Sequence, residues 1–408
     1  EHPAMAFRFG KSLQINLTRS SLASHARSLL NHRPISVARQ TAAFHDVAYW
    51  LPVPSASSSS SSTPHSSFSS SAKASRDDTT TTVAVVSELD NPALAQLPQL
   101  EGVDFLVGDT PEAFLKHDSK MATCEAYIFV APMKSTETLS AAWKMSSSPK
   151  WLHSFFTGID ALSGFCASDL FEGASLTNAR GAYSDSLAEW ALTSCLYFNK
   201  QIPRCQENRL NKKWDKFTMG HLYGKTIGFV GFGHIATTTA TLARAFGMKI
   251  LALKRNVPKQ QQQQHQIADA IYSSESACEM LRECDFVVCS LPGTPKTDGF
   301  MSSKEFEAMP SHSVFISIGR GSAVDEEALD HALRSGSIAG AALDVFRTEP
   351  LPRSNPLWEH ENLLLTAHNA DFTGDNVERG WNVWLENYSA FMNNRPFATL
   401  IANPSAGY

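Results

Sequence analysis

Arg320, Glu349 and His368 are polar residues set just beyond apolar runs in the last quarter of the chain. Arg320 stands between Gly319 and Gly321 after Ser313-Val-Phe-Ile-Ser-Ile318. Glu349 lies in Asp344-Val-Phe-Arg-Thr-Glu-Pro350, on a loop that Pro350 stiffens, and His368 closes Leu363-Leu-Leu-Thr-Ala-His368. A guanidinium on a glycine-flanked turn can fork onto a carboxylate. An imidazole can move a proton, and a neighbouring carboxylate favours its charged form. Taken singly, each residue reads equally as a structural ion pair or a satisfied polar group. Together they form a set able to reduce a carbonyl: the arginine holds an acid, the histidine moves the proton and the glutamate supports the histidine.

Such a set needs elements that bring it to one place. Thr226-Ile-Gly-Phe-Val-Gly-Phe-Gly-His-Ile-Ala236 is an apolar strand running into a glycine turn. A helical pattern follows, with Ala240, Leu242, Ala243 and Phe246 apolar, and then a second strand, Met248–Leu253. Strand, G-x-G-x-x-A turn, helix and strand form the context in which this motif binds a dinucleotide. Gly231 permits the tight turn, Gly233 lets the backbone approach a pyrophosphate, and Ala236 is small enough for close helix–strand packing. The free N–H groups of Phe232, Gly233, His234 and Ile235 then face phosphate. Further strands are expected at Phe286–Leu291, Ser313–Ile318, Gly340–Asp344 and Leu363–Thr366. In an open parallel sheet, ligands bind beyond the carboxyl ends of the strands. Pro292-Gly-Thr, Gly319-Arg320, Asp344 and His368 would therefore converge on one crevice.

The first half repeats the alternation. Val83–Val86, Asp104–Val107, Ala126–Val130, Trp151–Phe156 and Leu176–Asn178 read as buried strands. Ser184–Lys200, apolar at Leu187, Trp190, Ala191, Cys195 and Leu196, reads as the helix that carries the chain into the second domain. Val377–Met392, with Trp381, Trp384, Leu385, Tyr388 and Phe391, reads as a helix that packs back on the first. Residues 1–78 are rich in Ser and Arg and poor in acids, the profile of a transit peptide for a mitochondrion or plastid. The Gln260–Gln264 tract reads as a surface loop. The 408 residues carry a net charge of −5, which gives no basic footprint for nucleic acid, and no apolar run is long enough to span a membrane. Seven cysteines without a C-x-x-C pair read as buried thiols rather than disulfides or metal ligands.

From about Ala126 onward the sequence resembles the D-isomer-specific 2-hydroxyacid dehydrogenases. The resemblance rests on Gly158-Ile-Asp160, Thr177-Asn-Ala-Arg-Gly181, Leu187-Ala-Glu189, the glycine turn and Leu291-Pro-Gly-Thr-Pro-Lys-Thr297. Gly319-Arg-Gly-Ser-Ala-Val-Asp325, Asp344–Pro350 and Thr366-Ala-His368 carry it furthest. It implies an α/β fold of two Rossmann-like lobes with parallel sheets: a flavodoxin-like substrate domain and a dinucleotide-binding domain. The expected bounds are a leader over 1–78, a substrate domain over 79–197, a nucleotide-binding domain over 198–370, and a C-terminal helix within 371–408 that completes the first lobe. By resemblance Arg320, Glu349 and His368 are the catalytic triad. Asp344 and the backbone near Ile318 would hold the nicotinamide carboxamide, with Leu291, Pro292 and Thr297 also lining the cofactor. Backbone N–H groups around Ala131 and Met133 and at Gly158 would meet the substrate carboxylate. A homodimer through the nucleotide-binding lobes is implied as well.

The sequence departs from the family pattern at Ser317, where Asn is frequent, at Ala367 in place of Pro, and at Trp190 in place of His. The largest departure is Lys254, followed by Arg255, where an NAD-specific member carries an acid for the ribose hydroxyls. A cation there favours NADP(H), with NAD(H) possible. The leading expectation is a reductase of small 2-keto acids such as glyoxylate or hydroxypyruvate. The alternatives are a D-3-phosphoglycerate dehydrogenase-like enzyme and an NAD(H)-binding, corepressor-like scaffold.

Overall fold

The computed structural model describes residues 80–130, 136–255, 267–401 and 403. The leader, Ala131 and Met133, and the Gln tract lie outside the described residues. Two parallel sheets organise the chain. The first contains β1 Thr81–Val86, β2 Val103–Gly108, β3 Ala126–Phe129, β4 Trp151–Ser154 and β5 Ser175–Asn178, in the order β2-β1-β3-β4-β5. The second contains β6 Thr226–Val230, β7 Lys249–Leu253, β8 Ala270–Tyr272, β9 Phe286–Cys289, β10 Val314–Ser317, β11 Gly340–Leu343 and β12 Leu363–Leu365, in the order β12-β11-β10-β9-β6-β7-β8. Strands β3, β4, β9, β10 and β11 are buried at every residue. Helices cover both faces of such sheets, so their sequences read as apolar runs rather than alternations. Strand β8 is absent from the sequence reading because it is a three-residue edge strand, half-buried throughout, with no apolar run to betray it.

In the first lobe, Leu139, Ala142 and Trp143 of the helix Thr136–Met145 cover one face of the sheet. Trp381 and Trp384 of the C-terminal helix Asn376–Met392 cover the other, packing with Val83, Val85, Ile128 and Trp151. Trp384 stacks on Trp151 of β4 at 6.2 Å, and the Trp381 indole donates to the Ala93 carbonyl at 2.9 Å, which fixes the returning helix on the first lobe. Buried indoles bring large apolar area and need such a partner for the N–H.

The helix Ser184–Asn199 spans the lobes, and its Ala191, Leu192 and Cys195 join the core of the second. The helix His234–Ala245 buries Ala236, Thr239, Ala240 and Ala243 but leaves Leu242, and Phe246 at its C-cap, exposed. Leu242 is two residues from Ala240, about 200° around the helix, so the two cannot share a face. All seven cysteines are free, and burial pushes the Cys284 thiol up to about 12, which leaves little thiolate. Among the described residues no helix is long and apolar enough to cross a membrane.

Candidate active site

The register of the second sheet brings the expected residues together. Val230 pairs with Cys289, Cys289 with Ser317, Ser317 with Leu343, and Leu343 with Leu365. The residues that follow, Gly231, Ser290, Ile318, Asp344 and Thr366, therefore leave the sheet side by side. Arg320, Glu349 and His368 extend from this row.

His368 adopts φ 52°, the left-handed region, which a non-glycine residue enters only when its surroundings hold it there. Asp344 supplies the hold. Its backbone carbonyl accepts from the His368 N–H at 2.8 Å. Its carboxylate, almost fully buried, accepts from Thr366 Oγ1 at 2.6 Å and from the N–H groups of Asn369 at 3.0 Å and Ala370 at 3.2 Å. These bonds build the histidine turn, and they leave limited capacity on Asp344 for a ligand amide. His368 Nδ1 donates to Glu349 Oε2 at 2.7 Å, while Glu349 Oε1 accepts from the Phe346 N–H at 2.8 Å. With its Nδ1 proton engaged, the ring offers Nε2 for chemistry. Both side chains are about a third exposed, so the pair is reachable.

Arg320 lies over Gly158 of the other lobe. Its Nε donates to Asp160 Oδ2 at 3.0 Å and its Nη1 to the Gly319 carbonyl at 3.0 Å. A Cβ on Gly158 would stand 1.5 Å from Nη2 and 2.6 Å from Cζ, so the guanidinium occupies space that only a glycine leaves open. A Cβ on Gly293 would stand 2.7 Å from Asp160 Oδ1.

The glycine turn fits a dinucleotide by its own geometry. Gly231 has φ 87°, and a side chain there would touch Leu291. A Cβ on Gly233 would meet nothing within 4 Å, so a ligand's phosphate can approach the backbone freely. Gly233 caps the helix His234–Ala245 without a side-chain bond, which leaves the first helical N–H groups for an anion. Phe232 is buried, Ile235 is partly buried, and His234 Nδ1 bonds Ser184 Oγ at 2.8 Å. Thr157, Arg180, Tyr183, Gly233, His234 and Ser290 line a cleft between the lobes here. The Lys254 ammonium sits 5.5 Å from the Phe232 ring centroid, just past the carboxyl end of β7, with Arg255 exposed beside it. Pro292 is exposed and Leu291 partly buried. The Thr297 hydroxyl is tied into its own turn by Pro292 and Thr294, which makes it a loop fastener. Ile318 is buried, its N–H bonded to Cys289.

Residues 192–370 match the family model for the NAD binding domain of the D-isomer specific 2-hydroxyacid dehydrogenases. A glyoxylate reductase of Aeropyrum pernix is 32% identical over 243 residues, which cover 57% of this chain and 70% of that protein. The chain belongs to this family. A D-3-phosphoglycerate dehydrogenase of Methanocaldococcus jannaschii is 29% identical over 291 residues, 70% of this chain; the match spans only 52% of that relative's length. The solved structure of a D-isomer specific 2-hydroxyacid dehydrogenase family protein from Aeromonas salmonicida superposes with a TM-score of 0.65 at 26% identity, covering 79% of this chain and 99% of that one.

Two acidic residues to which the sequence assigned no role stand beside Arg320 and His368. Asp160 reaches Arg320 from 160 positions away, a pairing no local spacing can announce. Asp371 follows His368 by three residues. Burial pushes its half-buried carboxyl above the usual carboxylate range and Asp344 adds to this, while His368 and Arg320 pull the other way. An acid soon after a strand-end histidine was the available signal. Ser317, in place of the frequent Asn, leaves its hydroxyl buried with no partner among the described residues.

Proposed function

We propose that the protein interconverts a small 2-keto acid and its 2-hydroxy acid by hydride transfer with a nicotinamide dinucleotide, reduction being the leading direction. The observation that carries this is a Glu349-backed imidazole and a glycine-cradled guanidinium that both follow strands ending side by side on the sheet edge that carries the open glycine turn. Arg320 would hold the substrate carboxylate and polarise the adjacent carbonyl. Gly158 would add its backbone N–H. His368 Nε2 would give a proton to the carbonyl oxygen as negative charge develops there. A bound nicotinamide supplies the hydride. Similarity to a glyoxylate reductase supports a substrate of two or three carbons. The test is a substrate panel on purified protein: glyoxylate and hydroxypyruvate should turn over better than phosphohydroxypyruvate. Absence of turnover with every keto acid and both reduced cofactors rejects an enzyme and leaves the scaffold reading.

The cofactor we propose is NADP(H) in preference to NAD(H). A carboxylate at the end of β7 would bind both ribose hydroxyls and repel a 2′-phosphate, and Lys254 removes that repulsion. Charged hydrogen bonds are worth roughly 1.5–3 kcal/mol each, so one contact gives about tenfold discrimination or more. The kcat/KM ratio for NADPH over NADH should exceed unity and invert in the Lys254→Asp, Arg255→Ala variant. A ratio at or below one in the parent protein refutes the preference.

A homodimer through the second lobe follows from the same reading. Trp214 is 99% and Tyr223 75% exposed, and Tyr223 lies against Gly247, next to the exposed Phe246; exposed apolar side chains of this kind are what association covers. The mass in solution should be that of two chains, and Trp214→Asp with Tyr223→Ser should shift it toward one. A single-chain mass for the parent protein rejects the dimer.

A further inference from the structure

Arg320 is held by an acid from the opposite lobe. Asp160 begins the short turn that follows β4, whereas Arg320 follows β10. The two meet through one bond, Arg320 Nε to Asp160 Oδ2 at 3.0 Å. The sequence has cleared space for that bond on two sides. Gly158 leaves room for the guanidinium, and Gly293 leaves room for Asp160 Oδ1 and for the Arg320 stem. The donor count then assigns the rest. A guanidinium has five N–H groups. The Nε–H goes to Asp160 and one Nη1–H goes to Gly319, while among the described residues no acceptor lies on Nη2. The Nε–H and one Nη1–H are taken, which leaves Nη2, lying over Gly158, and the second Nη1–H for a ligand.

We propose that Asp160 is a positioning residue for the reaction: it clasps Arg320 across the lobes, so that the aim of the guanidinium is set by an acid of the opposite lobe. The proposal rests on the reading of Arg320 as the group that holds the substrate carboxylate. Its physical sense lies in entropy. An arginine side chain released from Asp160 has several rotamers over the cleft, and ordering it then falls to the substrate. The clasp bears that ordering in advance. A competing view makes Asp160 a mere like charge beside the substrate carboxylate, and it predicts the opposite sign.

The experiment is steady-state kinetics on Asp160→Ala and Asp160→Asn, with Arg320→Lys and the Asp160→Ala, Arg320→Lys double variant. Asp160 is an exposed side chain, so these changes leave the cores untouched. Asp160→Ala should raise KM for the keto acid by about tenfold to a hundredfold, the worth of a charged hydrogen bond, with a smaller effect on kcat and none on the KM for the reduced cofactor. Asp160→Asn, which keeps an acceptor for Nε, should recover most of the loss. The double variant should be little worse than Arg320→Lys alone, because the two residues act as a unit. A KM unchanged or lowered in Asp160→Ala, or losses that multiply in the double variant, overturns the proposal. If instead Arg320→Lys reduces keto acids as the parent does, the assignment of Arg320 itself falls. That outcome is separable from the first because it appears in a variant that retains Asp160.

Discussion

His368→Ala should lower kcat by about two to four orders of magnitude, the usual worth of a positioned acid or base, while the melting temperature stays close to that of the parent. The side chain is 39% exposed and lies outside every core cluster, so its removal leaves no cavity. Alanine also relieves little strain at φ 52°, because the turn is held through the backbone by Asp344 rather than through the imidazole. Glu349→Gln should be milder, roughly ten- to a hundredfold in kcat, for a reason visible in the bonds. Glu349 accepts from both His368 Nδ1 and the Phe346 N–H, one on each oxygen. Glutamine has one acceptor oxygen and one NH₂ group, so it can satisfy only one of the two donors. Either the ring loses its orienting partner or the loop does. Stopped-flow measurement of a single turnover separates this from product release. A His368→Ala variant that is folded and turns over like the parent removes His368 from the chemistry.

The parts of this molecule that could be read from sequence share a physical property: each is local. Runs such as Val314–Ser317 declare a doubly covered strand by themselves. The glycine turn combines strand, turn and helix within a dozen residues, and the order Arg320, Glu349, His368 follows from strands lying parallel with all their carboxyl ends on one edge. What could not be read depends on distance or on direction. Asp160 matters through a partner in another lobe. Leu242 and Phe246 have helical spacing to each other, and spacing alone does not say whether a face meets a core or the outside. Thr297 sits in a motif of the family, yet its hydroxyl is consumed within its own turn. Asp344 was expected to serve the cofactor; its bonds show that it first builds the turn that aims His368.

Gly158→Ala should abolish most activity without unfolding the protein, and the two effects part for a geometric reason. The added Cβ would fall 1.5 Å from Arg320 Nη2, 2.6 Å from Cζ and 2.8 Å from Asp160 Oδ2. All three are atoms at the far ends of side chains that stand partly in solvent, so they can yield at little cost in stability. Yielding, however, means that the guanidinium leaves its place, and a misplacement of about 1 Å in a positioning group can cost on the order of a hundredfold. The expected result is a fall in kcat/KM for the keto acid of about a hundredfold or more, an unchanged affinity for the reduced cofactor by fluorescence titration, and a melting temperature within a few degrees of the parent. Gly321→Ala supplies the contrast. Its Cβ would come within 1.9 Å of the Phe346 backbone carbon and 2.1 Å of the Phe346 oxygen, and packed backbone cannot swing aside. That variant should lose stability together with activity. If Gly158→Ala keeps keto-acid turnover within a few-fold of the parent, the place over Gly158 is not where Arg320 works. If it melts as early as Gly321→Ala, the glycine serves the fold rather than the arginine.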